Sequence, residues 1–219
     1  MAHPDHPAVR RVVEAAARKG VELEVTIFSE STHTAEDAAR AVGAELGQIV
    51  KSLVFVALGA ERELEPVLCL VSGPNRVDVA QLAAVTGKAD IRRATAREAN
   101  ELTGYVIGGI PPIGHARPIR AVMDDDLTRF TTVWAAAGTP NAVFPVPPAT
   151  LRILANATVA PIAEAPEDAR EAGVGSAQGE IPAGQADSGE RATPDAGANA
   201  AAGTSPTPGA GAAAQNAGA

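Results

Sequence analysis

The sequence predicts a mixed α/β domain built around a largely buried β-sheet, and three observations predict it. Ile49–Leu58 is nearly continuous apolar sequence with one interruption at Lys51 and Ser52, the pattern of a strand covered on both faces. Strands of this kind alternate with short helical segments that carry their own start and stop residues. Several connections are short and hairpin-like, which favours a mixed sheet over a regular βαβ nucleotide-binding fold.

The elements follow in order. Pro7–Lys19 places Val9, Val12, Val13 and Ala16 on one helical face, and Gly20 supplies a stop. Val21–Phe28 alternates apolar with polar residues and reads as a half-buried strand. Thr34 can accept from the first-turn amides of a helix over residues 35–42, with Glu36 and Asp37 complementing its N-terminus and Gly43 ending it. Ile49–Leu58 and Pro66–Ser72 form a hairpin about the Gly59–Glu63 turn. Asp78 caps a short helix through Thr86. Thr95 and Glu98 have capping-box spacing for a helix through Leu102 that stops at Gly104. Ile119–Met123, Thr131–Ala136 and Ala142–Val146 read as strands. Pro147 and Pro148 introduce a helix through about Leu154, and Val159–Ala163 reads as a last strand.

Composition bounds the rest. Of the formal charge of −8, the segment from Pro166 onward holds seven acids and two arginines, a charge of −5 that leaves −3 for the body. A nearly neutral body excludes an extended nucleic-acid surface, so any RNA contact is expected to be small and local, with no DNA partner. From Pro166 almost nothing apolar is larger than Ala, so residues 166–219 are expected to be a disordered tail beside a domain at 1–165. Cys69 is the only cysteine, which rules out an internal disulfide and fits a cytoplasmic location. No signal-peptide pattern and no apolar run of membrane-spanning length is present, so no membrane partner is expected.

Two features carry chemistry. Lys51 sits inside an apolar strand, where it must snorkel outward or pair with an anion. A terminal phosphate, or an ester oxygen gaining negative charge, would meet that need; so would simple exposure at the strand end. Adjacent Ser52 can donate to the same ligand or close a strand hydrogen bond. The second feature is the Gly108–Gly114 loop, Gly-Gly-Ile-Pro-Pro-Ile-Gly. Gly108 and Gly109 let backbone amides approach a ligand, and Ile110-Pro111-Pro112 stiffens the chain after them. The same residues also suit a structural tight turn. The loop is neither a GxGxxG nor a GxxxxGK[ST] phosphate motif. His115 can orient a water or bind substrate, or be a surface histidine. His33 more readily supports a helix start than acts as a base, and His3 lies in a fraying start. Asp124-Asp125-Asp126 reads as a solvent-facing turn. No Cys/His set has zinc spacing, Cys69 reads as core, and no cofactor or metal is expected.

The Thr34–Ala39 helix leading into Ile49-Val50-Lys51-Ser52-Leu53-Val54-Phe55, followed by Thr103-Gly104-Tyr105-Val106-Ile107-Gly108-Gly109-Ile110-Pro111-Pro112-Ile113-Gly114, resembles the YbaK/prolyl-tRNA synthetase-associated domain family. The resemblance spans roughly Pro7 to Ala163. It implies a curved, barrel-like mixed sheet with short flanking helices and an aminoacyl-tRNA deacylase that acts in trans. Its substrate would be a small amino acid on the proline tRNA, engaged at the 3′ end, with prolyl-tRNA synthetase as a further partner. Lys51, Gly108 and Gly109 correspond to the catalytic set, and Ser52, Ile110, Pro111, His115 and Gly138 to the substrate-binding set. Cysteine-removing members carry a serine and paired glycines where this chain has Ala135-Ala136-Ala137-Gly138-Thr139, so cysteine, alanine and other small amino acids all stay open. The alternative is a non-catalytic module that binds a nucleotide or the tRNA CCA end.

Overall fold

The computed structural model describes residues 6–29, 34–59 and 63–164. His3, His33 and the proposed 166–219 tail lie outside the described residues. In chain order the elements are α1 (Pro7–Ala17), β1 (Thr26–Ile27), α2 (Ala35–Val42), β2 (Val50–Leu58), β3 (Leu64–Ser72), α3 (Val79–Thr86), β4 (Arg92–Arg93), α4 (Ala96–Thr103), β5 (Arg120–Asp124), β6 (Val133–Ala136), β7 (Ala142–Val146), α5 (Pro148–Ala155) and β8 (Ala157–Ala160). Short 3-10 turns occupy Leu46–Gln48 and Asp125–Arg129.

The helix ends are set by local chemistry. Thr34 Oγ1 accepts from Asp37 N at 3.1 Å, while the Asp37 carboxylate accepts from Thr34 N, a reciprocal box that satisfies two donors. Thr95 and Glu98 repeat the device on α4, and the Asp78 carboxylate takes two first-turn amides of α3. These caps stand where the spacing places them.

The strands form two sheets: five strands in the order β4-β2-β3-β5-β8, and three in the order β1-β7-β6. β2 and β3 are an antiparallel hairpin in which Lys51 faces Val71 and Ser52 faces Leu70. β5 then lies parallel to β3, and β8 parallel to β5. The expectation of one curved, barrel-like sheet is met only in its mixed α/β character. Among the described residues the sheets stay open, and a single parallel bridge, Ile49–Trp134, links β2 to β6. The strand expected over Val21–Phe28 pairs only at Thr26 and Ile27. Val21, Leu23, Val25 and Ile27 nevertheless pack on the core, so the alternation reports a buried face without a full ladder.

The five-stranded sheet is covered on both sides. One face carries Val50, Val54, Leu68, Leu70, Ala121 and Met123 into a large core with α1, α5 and the three-stranded sheet. The other carries Phe55, Ala57, Val67, Cys69, Val71 and Val122 against α3 through Leu82. This double burial explains the unbroken apolar runs of β2 and β3. Cys69 is fully buried, and burial pushes its thiol pKa up to about 12, so it is core and no nucleophile. No described helix is long and apolar enough to cross a membrane. Phe144, fully buried at the centre of the larger core, is expected to cost about 3–5 kcal/mol on replacement by Ala, measured by urea denaturation.

Candidate functional site

Strand periodicity decides where Lys51 and Ser52 go. Lys51 shares the face of Leu53, Phe55 and Ala57, whereas Ser52 shares the face of Val50 and Val54. Adjacent strand residues point to opposite faces, so the two side chains do not converge on one ligand atom. Lys51 is half-buried and Nζ donates to the backbone carbonyl of Asn75 at 2.5 Å. Burial lowers its pKa, and the guanidinium groups of Arg93 and Arg76 lower it further, while Glu36 acts the other way. Glu36, Arg76 and Arg93 are all exposed. Ser52 Oγ is buried and makes no hydrogen bond among the described residues, a state that costs free energy unless a ligand supplies the partner.

The glycine–proline loop is a braced structure. Residues 106–109 form a turn closed by Gly109 N donating to Val106 O at 3.0 Å, with Gly108 at φ +86° in its third position, where a type II turn requires positive φ. Gly109 lies so close to the next loop that a Cβ would sit 2.7 Å from the Thr139 backbone. At the far end of the loop the Tyr105 hydroxyl donates to Gly114 O at 2.7 Å, and Arg11 stacks 4.5 Å over the Tyr105 ring while donating to Gly104 O at 2.9 Å. The Gly109 amide is thus taken up inside the turn. The amides of Gly108 and of Ile110, a residue only 4% exposed, donate to no described residue. They lie one residue to either side of Gly109.

His115 braces the same loop from within. Its Nε2 lies 2.8 Å from Pro111 O and its ring packs edge-on to Tyr105 at 6.1 Å. A carbonyl partner fixes Nε2 as the protonated nitrogen. Burial pulls its pKa below the usual histidine value, outweighing the Pro111 bond. Gly138, at φ +99°, approaches α1 so closely that a Cβ would meet Ala8 O at 2.7 Å.

A cavity of about 890 Å3 opens between the N-terminal turn of α1, the end of α4 and residues 138–141, lined by Arg11, Ser29, Asn100, Tyr105, Gly138 and Asn141 among others. His115 lines a second cavity of about 440 Å3 beside Arg18, Lys19 and Arg117. Lys51, Ser52, Gly108, Gly109, Ile110 and Pro111 line neither. What the structure brings together is the Gly108–Gly109 turn with Thr139–Pro140, and Ile110 with Ala135 and Ala137 in one core. Lys51 is instead joined to Asn75, Asp124 and Asp126.

Those three residues were not legible as a group. The Asp124–Asp126 run reads as a solvent-facing turn, yet Asp124 is fully buried and its Oδ2 accepts from Asn75 Nδ2 at 2.9 Å. The available signal is position: Asp124 directly follows the apolar run Ala121-Val122-Met123, so it ends a buried strand. Among the described residues no group of three His, Cys, Asp or Glu could hold a metal ion.

The His115 environment generates a pH dependence. The folded protein takes up this proton at a lower pH than the unfolded chain, which does so at about pH 6.5. The unfolded state then binds more protons, so stability is full above that value and falls as pH drops through it. His115→Gln is expected to flatten the slope of unfolding free energy between about pH 7 and pH 5.5, measured by denaturation across that range.

The comparisons with known proteins follow this geometry. The family described as "Aminoacyl-tRNA editing domain" matches residues 29–154. The chain is 34% identical over 128 residues to "Uncharacterized protein YwhH" of Bacillus subtilis (strain 168), covering 58% of this chain and 78% of YwhH. It is 26% identical over 135 residues to "Putative Cys-tRNA(Pro)/Cys-tRNA(Cys) deacylase EbsC" of Enterococcus faecalis (strain ATCC 700802 / V583), covering 62% of this chain and 80% of EbsC. A solved structure described as "a putative trans-editing enzyme for prolyl tRNA synthetase" superposes with a TM-score of 0.67 at 46% identity, covering 73% of this chain and 99% of that one. The proline–tRNA ligase of Limosilactobacillus fermentum (strain NBRC 3956 / LMG 18251) matches at 31% identity over 49% of this chain, but over only 19% of the ligase. With the family match running from just after β1 through nearly all of α5, this chain belongs to the aminoacyl-tRNA editing domain family.

Proposed function

We propose that this chain hydrolyses, in trans, the ester linking a small amino acid to the 3′ end of the proline tRNA. The observation that carries the reading is Lys51, half-buried at a corner of the sheet with its ammonium held by the Asn75 carbonyl, within a chain of the editing family. The charge of the body is otherwise close to balance, so the phosphates and terminal ribose of a tRNA end fit this corner better than a long duplex does.

The chemistry follows from what is available. Cys69 is sealed in the core and burial raises its thiol pKa to about 12, so this thiol is not the attacking group. Water, oriented by the free hydroxyl of the substrate's own ribose, attacks the ester carbonyl. The carbonyl oxygen becomes an oxyanion, and Lys51 supplies positive charge where it develops. Collapse of the tetrahedral intermediate releases the amino acid and leaves the ribose oxygen to take a proton. Gly109 lets its turn lie directly on Thr139–Pro140, and Ser52 offers its unpartnered hydroxyl to the substrate. The non-catalytic reading, a module that only holds a nucleotide or CCA end, retains binding without turnover. Prolyl-tRNA synthetase is the partner suggested by the relatives, whose charging error this activity would correct.

The test is a deacylation panel of cysteine, alanine and serine esterified to the proline tRNA. At least one ester is expected to be cleaved well above its spontaneous rate. Lys51→Ala is expected to lower that rate by about a hundredfold or more, the range for removal of an oxyanion-stabilising donor. Cleavage of none of the esters overturns the enzymatic reading. A chain truncated after Ala165 is expected to keep the full rate; a large loss would refute the proposed domain limit at 165.

A further inference from the structure

We propose that Asn75, clamped by Asp124 and Asp126, is a positioning residue for Lys51 in this reaction. The inference rests on the reading of Lys51 given above and adds a second requirement to it.

Lysine ends a flexible four-carbon stem and carries three rotatable donors. The β2 backbone therefore fixes where the side chain starts, not where the charge sits. In this structure the charge is held at its far end, since the Asn75 carbonyl accepts from Nζ at 2.5 Å. That is the only hydrogen bond Lys51 makes through its side chain among the described residues. One of three ammonium hydrogens is engaged, and two remain for a ligand.

The carbonyl is itself fixed from several directions. Asn75 N donates to Ser72 O at 2.9 Å, which folds the chain back at the end of β3. The Asn75 side-chain amide donates to Asp124 Oδ2 at 2.9 Å and to Asp126 Oδ2 at 2.7 Å. The other Asp124 oxygen accepts from Ile162 N at 3.1 Å and Ala163 N at 3.2 Å. The returning segment closes on the turn as well, with Asp78 N donating to Ile162 O at 2.9 Å and Glu164 N to Arg76 O at 2.8 Å.

Burying the Asp124 carboxyl is costly unless its partners are in place. A turn closed by backbone bonds alone would hold β3 and α3 together without it. What the two acids add is a fixed orientation of residue 75, whose carbonyl holds the Lys51 head. Networks of this kind gain rigidity when fully satisfied.

The experiment uses the full chain and the ester of the panel that is cleaved fastest. Deacylation kinetics are measured for Asn75→Ala, Asp126→Ala, Lys51→Ala and the double variants that include Lys51→Ala. Melting temperatures confirm that each is folded at the assay temperature. Asn75→Ala is expected to lower kcat by about 10- to 100-fold, the scale of a catalytic group displaced by about 1 Å, with KM nearly unchanged. In the Lys51→Ala background the same change is expected to alter the remaining rate by less than about threefold, because the two residues act as one unit. Losses that multiply independently mean that Asn75 only stabilises the fold, and they overturn the proposal. Should Asn75→Ala unfold, Asp126→Ala carries the same comparison, since Asp126 is only partly buried and accepts from Asn75 alone among the described residues.

A readout independent of turnover separates this proposal from the reading of Lys51. In protein labelled with 15N-lysine, the Lys51 ammonium is expected to give an ordered NMR signal that disappears in Asn75→Ala. A signal unchanged by that variant overturns the positioning role even where Lys51 proves essential. A Lys51→Ala variant that deacylates at the full rate overturns the catalytic reading of Lys51, and the positioning role in catalysis with it.

Discussion

Burial of both faces of the five-stranded sheet is the constraint on which the rest of this molecule depends. With α3 on one side and α1, α5 and the second sheet on the other, β2 and β3 have no solvent side along most of their length. A charged residue on such a strand must sit where the cover ends and must find a polar partner. Lys51 meets both conditions: it lies at the start of β2, half-buried, and its ammonium finds the Asn75 carbonyl at the end of the paired strand. The ammonium is thereby held against the turn that follows β3.

The second half of the site is built on close approach. Gly109 touches the Thr139 backbone and Gly138 touches the carbonyl of Ala8, so two loops and the first turn of α1 pack with no room for a Cβ. Tyr105 pins the glycine–proline loop through Gly114 and takes Arg11 on its ring. A loop held in this way keeps its backbone in one geometry, the preorganisation that the proposed chemistry requires. The local rigidity and the chemistry therefore have one cause.

The family assignment and the physical reading support different statements. Membership in the aminoacyl-tRNA editing family identifies the class of reaction. The geometry limits which groups can take part: the Cys69 thiol is sealed in the core and the Gly109 amide is taken up by Val106 O. Ser52 lies on the face opposite Lys51, so the two side chains do not meet on one ligand atom.

Much of this was decided by the sequence itself, because it depends on residues a few positions apart. The caps at Thr34, Asp78 and Thr95, the hairpin of β2 with β3, and the turn chemistry of Gly108 are local, and spacing alone locates them. The alternation over Val21–Phe28 likewise shows which side chains are buried. Tertiary structure decided whatever required distant segments to meet. It left the strand at residues 26–27 with a partner and residues 21–25 without one, kept the sheets open rather than closed into a barrel, and turned Asp124 from an apparent surface acid into a buried clamp. A periodic pattern specifies which way a side chain faces. Only the arrival of Asn75, Ile162 and Ala163 specifies what it meets there.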